Sequence, residues 1–249
     1  MTSLPTNLSF GITVTGWMSI CWEKEDALSV AMSRRELLLG SLSLMALTGP
    51  AAAQSNPFYG DNGFKRDLSL LPPAESPIDF EIEPVNLRKI PASFRRQLVD
   101  YSGTEWPGTL IVDPEHRHLY YVLENNQAIR YGVGVGREGF AWSGEATVGM
   151  KRRWPRWLPP EEMVARDEKA AKWANGMPGG PENPLGARAL YLYADGVDTL
   201  YRIHGTNDPS SIGKAMSSGC IRMLNQDIAE LYLQVLVGTR VVVLPSQGQ

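Results

Sequence analysis

The sequence predicts a mainly-β protein, a curved and mostly antiparallel β-sandwich with one packed helix and a lid-like insertion. Short β-branched and aromatic runs, separated by turn residues, follow one another from position 109 onward. A single convincing helix combines apolar periodicity with start and stop signals. The 249 residues, 43% of them apolar and 20% charged, suit one sizeable domain with appendages.

Seven segments have the composition and length of β-strands. Asp113-Pro114 forms a turn signal after the first segment, and a polar turn follows the second. The third segment contains glycines, which in strands often mark bulges or a close approach of the backbone. The segments are 109–112, 119–123, 128–135, 146–150, 189–193, 199–204 and 240–244.

The helix is predicted to begin near Asn225, whose side chain can cap it, and to end at Gly238. Asp227 places a negative charge at the positive N-terminal end of this helix. The apolar residues recur at helical spacing, so they are expected to share the face that packs on the sheet: Ile228, Leu231, Tyr232, Val235 and Leu236.

Residues 32–53 have the three parts of an export signal: a basic start, an apolar run at 37–47 and small residues before Gln54. The apolar run is too short to span a bilayer. The basic pair at 34–35 resembles a twin-arginine motif; the alternative is an ordinary secretory signal with a charged end. We expect cleavage near Ala53-Gln54, Met32 as the physiological start, and a mature protein in the periplasm or cell envelope.

The chain is therefore divided into an N-terminal extension with its signal (1–53), a proline-rich linker or arm (54–107) and a strand-rich domain (108–245). Within the arm, 88–101 is predicted to form a short helix whose Phe94 and Leu98 pack on the domain.

An insertion at 151–186 interrupts the strand pattern of the domain. Its tryptophans, Trp154, Trp157 and Trp173, can line a cleft wall, since aromatic faces pack against sugar or peptide. The alternative is a surface insertion whose tryptophans fill the edge of the core. Its position before the strands of the candidate site favours a lid.

The candidate site consists of His204 and, sixteen residues later, Cys220. A thiol attacks as the thiolate, and a nearby imidazole can accept its proton, so Cys220 is the candidate nucleophile and His204 the general base and proton donor. Gly219 leaves room for a substrate, and with Cys220 it can offer backbone N–H groups to an oxyanion. The neighbouring Arg222 supplies donors suited to a carboxylate.

Other classes of function fit less well. The net charge of −3 argues against a nucleic-acid partner. His116 and His118 form a pair near a turn without further histidine or cysteine at ligand spacing, so no metal site is expected. Once the signal has been removed, Cys220 is the single remaining thiol and cannot form an internal disulfide.

The residues from His204-Gly205 through Ser218-Gly219-Cys220-Ile221-Arg222 to Asn225 also resemble the catalytic motif of the L,D-transpeptidase family. These enzymes crosslink bacterial peptidoglycan through a cysteine. Ser218 stands where many members have histidine. The resemblance covers roughly 108–244 and does not extend to the first hundred residues.

The resemblance implies a β-sandwich-like catalytic domain and specific roles for the site residues. The backbone carbonyl of Gly205 would orient His204, with Asp208 forming a turn instead. The oxyanion hole would be formed by the N–H groups of Ser218, Gly219 and Cys220. Arg222 would bind a substrate carboxylate or brace the loop, and Asn225 would hold that loop as a helix cap rather than contact the substrate.

The implied reaction has two halves and needs no cofactor. Cys220 would attack the third residue of a tetrapeptide stem of peptidoglycan, release D-alanine and pass the acyl group to the amine of a second stem, giving a 3→3 crosslink. Other acceptors stay open: a D-amino acid, an amine of an outer-membrane protein, or water, which would make the enzyme a carboxypeptidase or hydrolase. Carbapenems would acylate the same thiol. A protein that binds the wall without turnover is the remaining alternative.

Overall fold

A computed structural model of the protein describes residues 66–136, 142–217 and 220–246. The predicted export signal, the beginning of the predicted arm, and Ser218 and Gly219 of the predicted oxyanion hole lie outside these residues. The described part contains eleven strands, three α-helices and four short 3₁₀ helices. Among its helices, none has both the length and the apolar character needed to cross a membrane.

The mainly-β prediction is confirmed, and each predicted strand segment overlaps an observed strand. The segment 128–135 is divided into two strands, and the strands at the arm and around the candidate cysteine were not predicted. The strands are Gln97–Asp100 (β1), Leu110–Asp113 (β2), His118–Leu123 (β3), Gln127–Gly132 (β4), Val135–Gly136 (β5), Gly144–Arg153 (β6), Arg188–Ala194 (β7), Val197–His204 (β8), Ala215–Ser217 (β9), Ile221–Arg222 (β10) and Arg240–Val243 (β11).

Nine of these strands form one sheet in the order β1-β4-β3-β2-β11-β6-β7-β8-β10, and β5 pairs with β9. Within the nine-stranded sheet, the pairs β2–β11 and β8–β10 are parallel and the others antiparallel. Gly134, just beyond β4, exchanges two backbone hydrogen bonds of 2.9 Å with Arg222 in β10. Because β4 and β10 lie near opposite ends of the strand order, these bonds require a strongly curved sheet.

The curved sheet encloses a core that includes residues from both ends of the strand order. Helix α3 (Asn225–Gln234) closes this core with Ile228 and Leu231, which are fully buried. Full burial of a side chain of this size stabilises the fold by about 1.5–3 kcal/mol. The helix follows β10 directly, so its packing anchors the segment that carries Cys220.

The predicted apolar face of α3 is wrong at its C-terminal end. The helix stops at Gln234 because Val235 adopts an extended conformation, with φ −86° and ψ 131°. Val235 is still buried, but Leu236 is 71% exposed. The apolar periodicity of the sequence thus extends to Leu236, whereas burial of the apolar side chains ends at Val235.

The predicted cap at Asn225 is also wrong. Leu224 is the N-cap residue and makes no side-chain cap bond, while Asn225 is the first residue of the helix. The Asn225 Oδ1 atom instead accepts hydrogen bonds from the backbone N–H groups of Ala187 (3.0 Å) and Thr206 (3.1 Å). A Cβ atom at Gly205 would overlap this oxygen. Asn225 therefore joins the start of β7 to the segment that follows His204.

The predicted helix at 88–101 is replaced by two 3₁₀ helices, Leu87–Lys89 and Ala92–Phe94, followed by β1. Pro91 lies between the two 3₁₀ helices, where it removes a backbone donor. Phe94 packs against a small buried cluster on the domain, as predicted, whereas Leu98 in β1 is 56% exposed.

The described part of the arm lies on the domain and contacts the insertion. The Arg66 guanidinium donates to the carbonyl oxygens of Pro159 (2.6 Å) and Ala174 (2.7 Å). Further along, Asp79 accepts a hydrogen bond of 2.9 Å from the indole of Trp154, which is 1% exposed. These contacts attach the insertion to the arm from Arg66 onward.

We expect Asn225→Ala to lower thermal stability, because it leaves two buried backbone N–H groups without their acceptor. Each such group costs about 1–3 kcal/mol, and 1 kcal/mol shifts Tm by about 2–4 °C in a chain of this size. A melting curve of the purified variant measures this. Asn207→Ala is the control, since its exposed amide loses a hydrogen bond that water can replace. Equal melting temperatures for Asn225→Ala and the unmutated protein would contradict a stabilising role of the Asn225 side chain as acceptor of these two N–H groups.

Candidate active site

The two predicted catalytic residues lie at the ends of neighbouring strands. His204 is the last residue of β8, and Cys220 directly precedes β10. The strands are parallel, with Arg222 opposite His204 and Ile221 opposite Ile203. Adjacent strands lie about 4.8 Å apart, so this pairing brings together residues that are far apart in the sequence.

His204 and Cys220 line one cleft of about 900 Å³. The sheet contributes Tyr191 and Arg202 to the same cleft, and the insertion contributes much of the opposite wall. Part of that wall is helix α1 (Glu161–Arg166), which is followed by α2 (Glu168–Ala171). The insertion residues that line the cleft include Trp157, Leu158, Pro160, Met163 and Leu185.

The three tryptophans of the insertion have different positions. Trp157 lines the cleft, as predicted for a cleft wall. Trp154 does not, because it is buried against the arm and packs edge-to-face on Phe80 with ring centroids 5.4 Å apart. Trp173 is 39% exposed and is not among the cleft residues. The predicted substrate contact by Trp154 is therefore corrected, while movement of the insertion as a lid stays a prediction.

The imidazole of His204 is held by the backbone. Its Nδ1 atom lies 2.6 Å from the carbonyl oxygen of Gly205. A carbonyl oxygen can only accept, so Nδ1 carries the proton in this contact and Nε2 of the neutral ring keeps its lone pair. This is the geometry that a general base at Nε2 needs.

Burial lowers the pKa of His204 to about 4. The positive charges of Arg222 and Arg202 act in the same direction, and hydrogen bonds to the backbone at Gly205 and Leu185 oppose the shift only in part. The ring is consequently neutral at pH 7.

Burial also raises the pKa of the Cys220 thiol above its ordinary value of 9.0. The charge of Arg202, a backbone hydrogen bond at the same residue and the charge of Arg222 work against this shift without reversing it. At neutral pH the resting site therefore holds a protonated thiol and a neutral imidazole rather than an ion pair.

Arg202 was missed by the sequence analysis. Its guanidinium forms two hydrogen bonds of 2.7 Å with the carboxylate of Asp198 and lies 4.2 Å from the ring centroid of Tyr191. The available signal was strand alternation, because a residue two positions before His204 shares its face of β8. Arg202 thus contributes a fixed positive charge to the cleft.

Arg222 also lines the cleft and is partly buried. Burial lowers the pKa of its guanidinium, an effect that the charges of Cys220 and Asp208 oppose. Asp208 itself caps the 3₁₀ turn Pro209–Ser211, accepting a hydrogen bond of 3.1 Å from the Ser210 N–H, as predicted for a turn former.

The two other histidines lie outside the cleft. His116 pairs with Asp113 at 2.8 Å, and the Nε2 atom of His118 lies 3.0 Å from the carbonyl oxygen of Ser93. Within residues 66–136, 142–217 and 220–246, no group of three histidine, cysteine or acidic side chains is arranged to hold a metal ion.

Comparison with known proteins gives the family of this fold and site. Residues 107–243, more than half of the chain, match the model of the L,D-transpeptidase catalytic domain. The probable L,D-transpeptidase YbiS of Escherichia coli K12 is 37% identical over 139 residues, which cover 54% of this chain and 43% of YbiS. The chain thus matches less than half the length of that curated relative.

The solved chains that are similar to this one include two that differ widely in sequence identity. A chain named as a probable carnitine operon oxidoreductase from Brucella melitensis is 48% identical, with 64% of this chain and 99% of that chain covered and a TM-score of 0.43. An L,D-transpeptidase from Mycobacterium smegmatis is 17% identical, with coverage of 55% and 58% and a TM-score of 0.40. Both superpose too loosely to carry an argument about activity. The match to the family model does carry one: this chain belongs to the L,D-transpeptidase catalytic domain family.

Proposed function

We propose that the protein is an exported L,D-transpeptidase that uses Cys220 to transfer peptidoglycan stem peptides. The observation that carries this proposal is one cleft lined by Cys220 and by a histidine whose Nδ1 atom is bonded to the Gly205 carbonyl. Location in the periplasm or cell envelope rests on the export signal predicted at 32–53.

In the first half-reaction, His204 Nε2 takes the thiol proton as the sulfur attacks the carbonyl carbon of the third stem residue. The carbonyl oxygen becomes an oxyanion, which the N–H groups of Ser218, Gly219 and Cys220 would stabilise. The bond to the terminal D-alanine then breaks, and its nitrogen takes the proton from the His204 imidazolium. A thioester and free D-alanine result.

In the second half-reaction, an amine attacks the thioester carbon and loses a proton to His204. The carbon–sulfur bond breaks, the amide forms and the protonated thiol returns. An amine from a second stem gives the 3→3 crosslink. Water in the same position would give a shortened stem instead, and an amine of an outer-membrane protein would give a protein attached to the wall.

Two positive charges near the reacting atoms act differently. The guanidinium of Arg222 has no hydrogen-bond or ion-pair partner in the part of the chain that the structure describes, and we assign it to the carboxylate of the departing D-alanine. Arg202 is already paired with Asp198, so its charge acts on the thiolate and the oxyanion without a direct contact to the substrate. Asn225 holds the segment around Gly205, and Trp157 packs against the stem peptide.

The first test is intact-mass measurement after incubation with a muropeptide that carries a tetrapeptide stem. A thioester adduct on the protein, together with free D-alanine and a product whose mass names the acceptor, is expected. A carbapenem should label the same cysteine. Cys220→Ala should show neither adduct.

Absence of any adduct on the folded, unmutated protein would contradict the proposal and leave wall binding without turnover as the better account. Labelling by the carbapenem without turnover of the muropeptide would contradict the proposed substrate while keeping the nucleophile.

The pH dependence of thiol alkylation tests the resting state of the site. Because burial raises the Cys220 pKa above 9.0, the thiolate fraction is small at pH 7, and the rate with iodoacetamide should rise continuously from pH 6 to pH 9. Cys21→Ser makes Cys220 the single thiol in the reaction. A rate that is already constant below pH 7 would indicate a thiolate–imidazolium pair. It would contradict the assigned resting state, a protonated Cys220 thiol beside a neutral His204 ring.

A further inference from the structure

One row of paired residues crosses the sheet beneath the cleft. Arg152 in β6 pairs with Ala189 in β7, Ala189 pairs with His204 in β8, and His204 pairs with Arg222 in β10. Directly paired residues present their side chains on the same face of a sheet. His204 therefore lies between two arginines, with the small side chain of Ala189 separating it from Arg152.

Strand alternation directs Arg152 toward the cleft. Arg152 lines the cleft together with Met150, two positions earlier on β6. The residues on either side face the opposite way: Lys151 Nζ donates to the Tyr232 carbonyl oxygen at 2.6 Å, and Arg153 lies 3.6 Å from the carboxylate of Asp79. Arg152 is thus the cleft-facing cation in a run of three basic residues.

Arg152 shares with Arg222, and with none of the other buried or partly buried arginines of the cleft, a guanidinium that has no partner among the described residues. Arg66 and Arg156 donate to backbone carbonyls, and Arg202 is paired with Asp198. Arg166 is exposed at the end of α1. Arg152 is partly buried, yet among the described residues its guanidinium has no hydrogen bond and no ion pair. A partly desolvated guanidinium without a partner is well suited to an anion supplied by a ligand.

We propose that Arg152 is a specificity-determining residue that binds a second carboxylate of the acyl donor. This proposal rests on the proposed function. Three strand spacings, about 14 Å, separate the backbones of Arg152 and Arg222. Arg222 is assigned to the carboxylate of the departing residue near Cys220, so Arg152 lies where the far end of the third residue's side chain would reach. The preferred donor is a stem whose third residue carries a free carboxylate at that end rather than a carboxamide.

The chemistry of the side chain supports a carboxylate. The guanidinium presents a planar fork of donors that matches the two oxygens of a carboxylate. A carboxamide in the same place would offer one acceptor oxygen. Its N–H groups would face the N–H donors of the guanidinium and could not hydrogen-bond to them. Loss of a hydrogen bond to a charged group weakens binding by about tenfold or more.

The test is calorimetric binding of two tetrapeptide donors that differ by a carboxylate or a carboxamide at this position. The protein carries Cys220→Ala, so the donor is not consumed. We expect the carboxylate donor to bind about tenfold tighter or more, and Arg152→Gln to reduce the preference to about one. The carboxamide donor should bind Arg152→Gln as it binds the parent protein.

Arg153→Gln is the matched control, since it removes the same charge from the opposite face of the same strand. It should keep the preference, and melting curves of both variants establish that they fold. Three results would overturn the proposal: equal binding of the two donors by the parent protein, equal weakening of both donors by Arg152→Gln, or failure of both donors to bind. Failure of the proposed function is distinguishable, because it appears as absent turnover by the protein with Cys220 intact.

Discussion

The parallel pairing of β8 with β10 is the contact on which the site depends. β8 ends in His204 and β10 follows Cys220 directly, so this pairing brings the two residues into one cleft. The Gly134–Arg222 hydrogen bonds hold β10 from its other side, where the curved sheet returns on itself. Helix α3 then fixes the end of β10, and Asn225 at its first turn fixes the segment after His204.

The same packing determines the protonation of the site. Enclosure by the sheet and the surrounding segments disfavours charge on both His204 and Cys220, so the proton stays on sulfur until the substrate arrives. The charges of Arg202 and Arg222 offset part of this cost for a Cys220 thiolate and add to it for a charged His204 ring. Their charge becomes most useful when a thiolate and an oxyanion form during the reaction, because negative charge develops where positive charge is already fixed.

Local patterns in the sequence were sufficient to predict the mainly-β fold and to identify Cys220 and His204 as candidate catalytic residues. β-branched runs identify strands such as β2 and β11, and the ordered motif identifies the family. Long-range contacts were not predictable. The side chain of Asn225 bonds to Ala187 and Thr206, and Trp154 is buried by an arm that is distant in sequence. Arg152 reaches the row of His204 only through the register of β6, β7 and β8. Ser218 and Gly219 remain predictions from the motif.

The most direct test of this account is an NMR titration of the His204 ring with nitrogen-15 labelling. The account predicts a neutral ring at pH 7 with the proton on Nδ1, and protonation of Nε2 with a pKa of about 4. A ring that is charged at pH 7, or neutral with its proton on Nε2, would contradict it. In either case His204 could not take the Cys220 proton through Nε2.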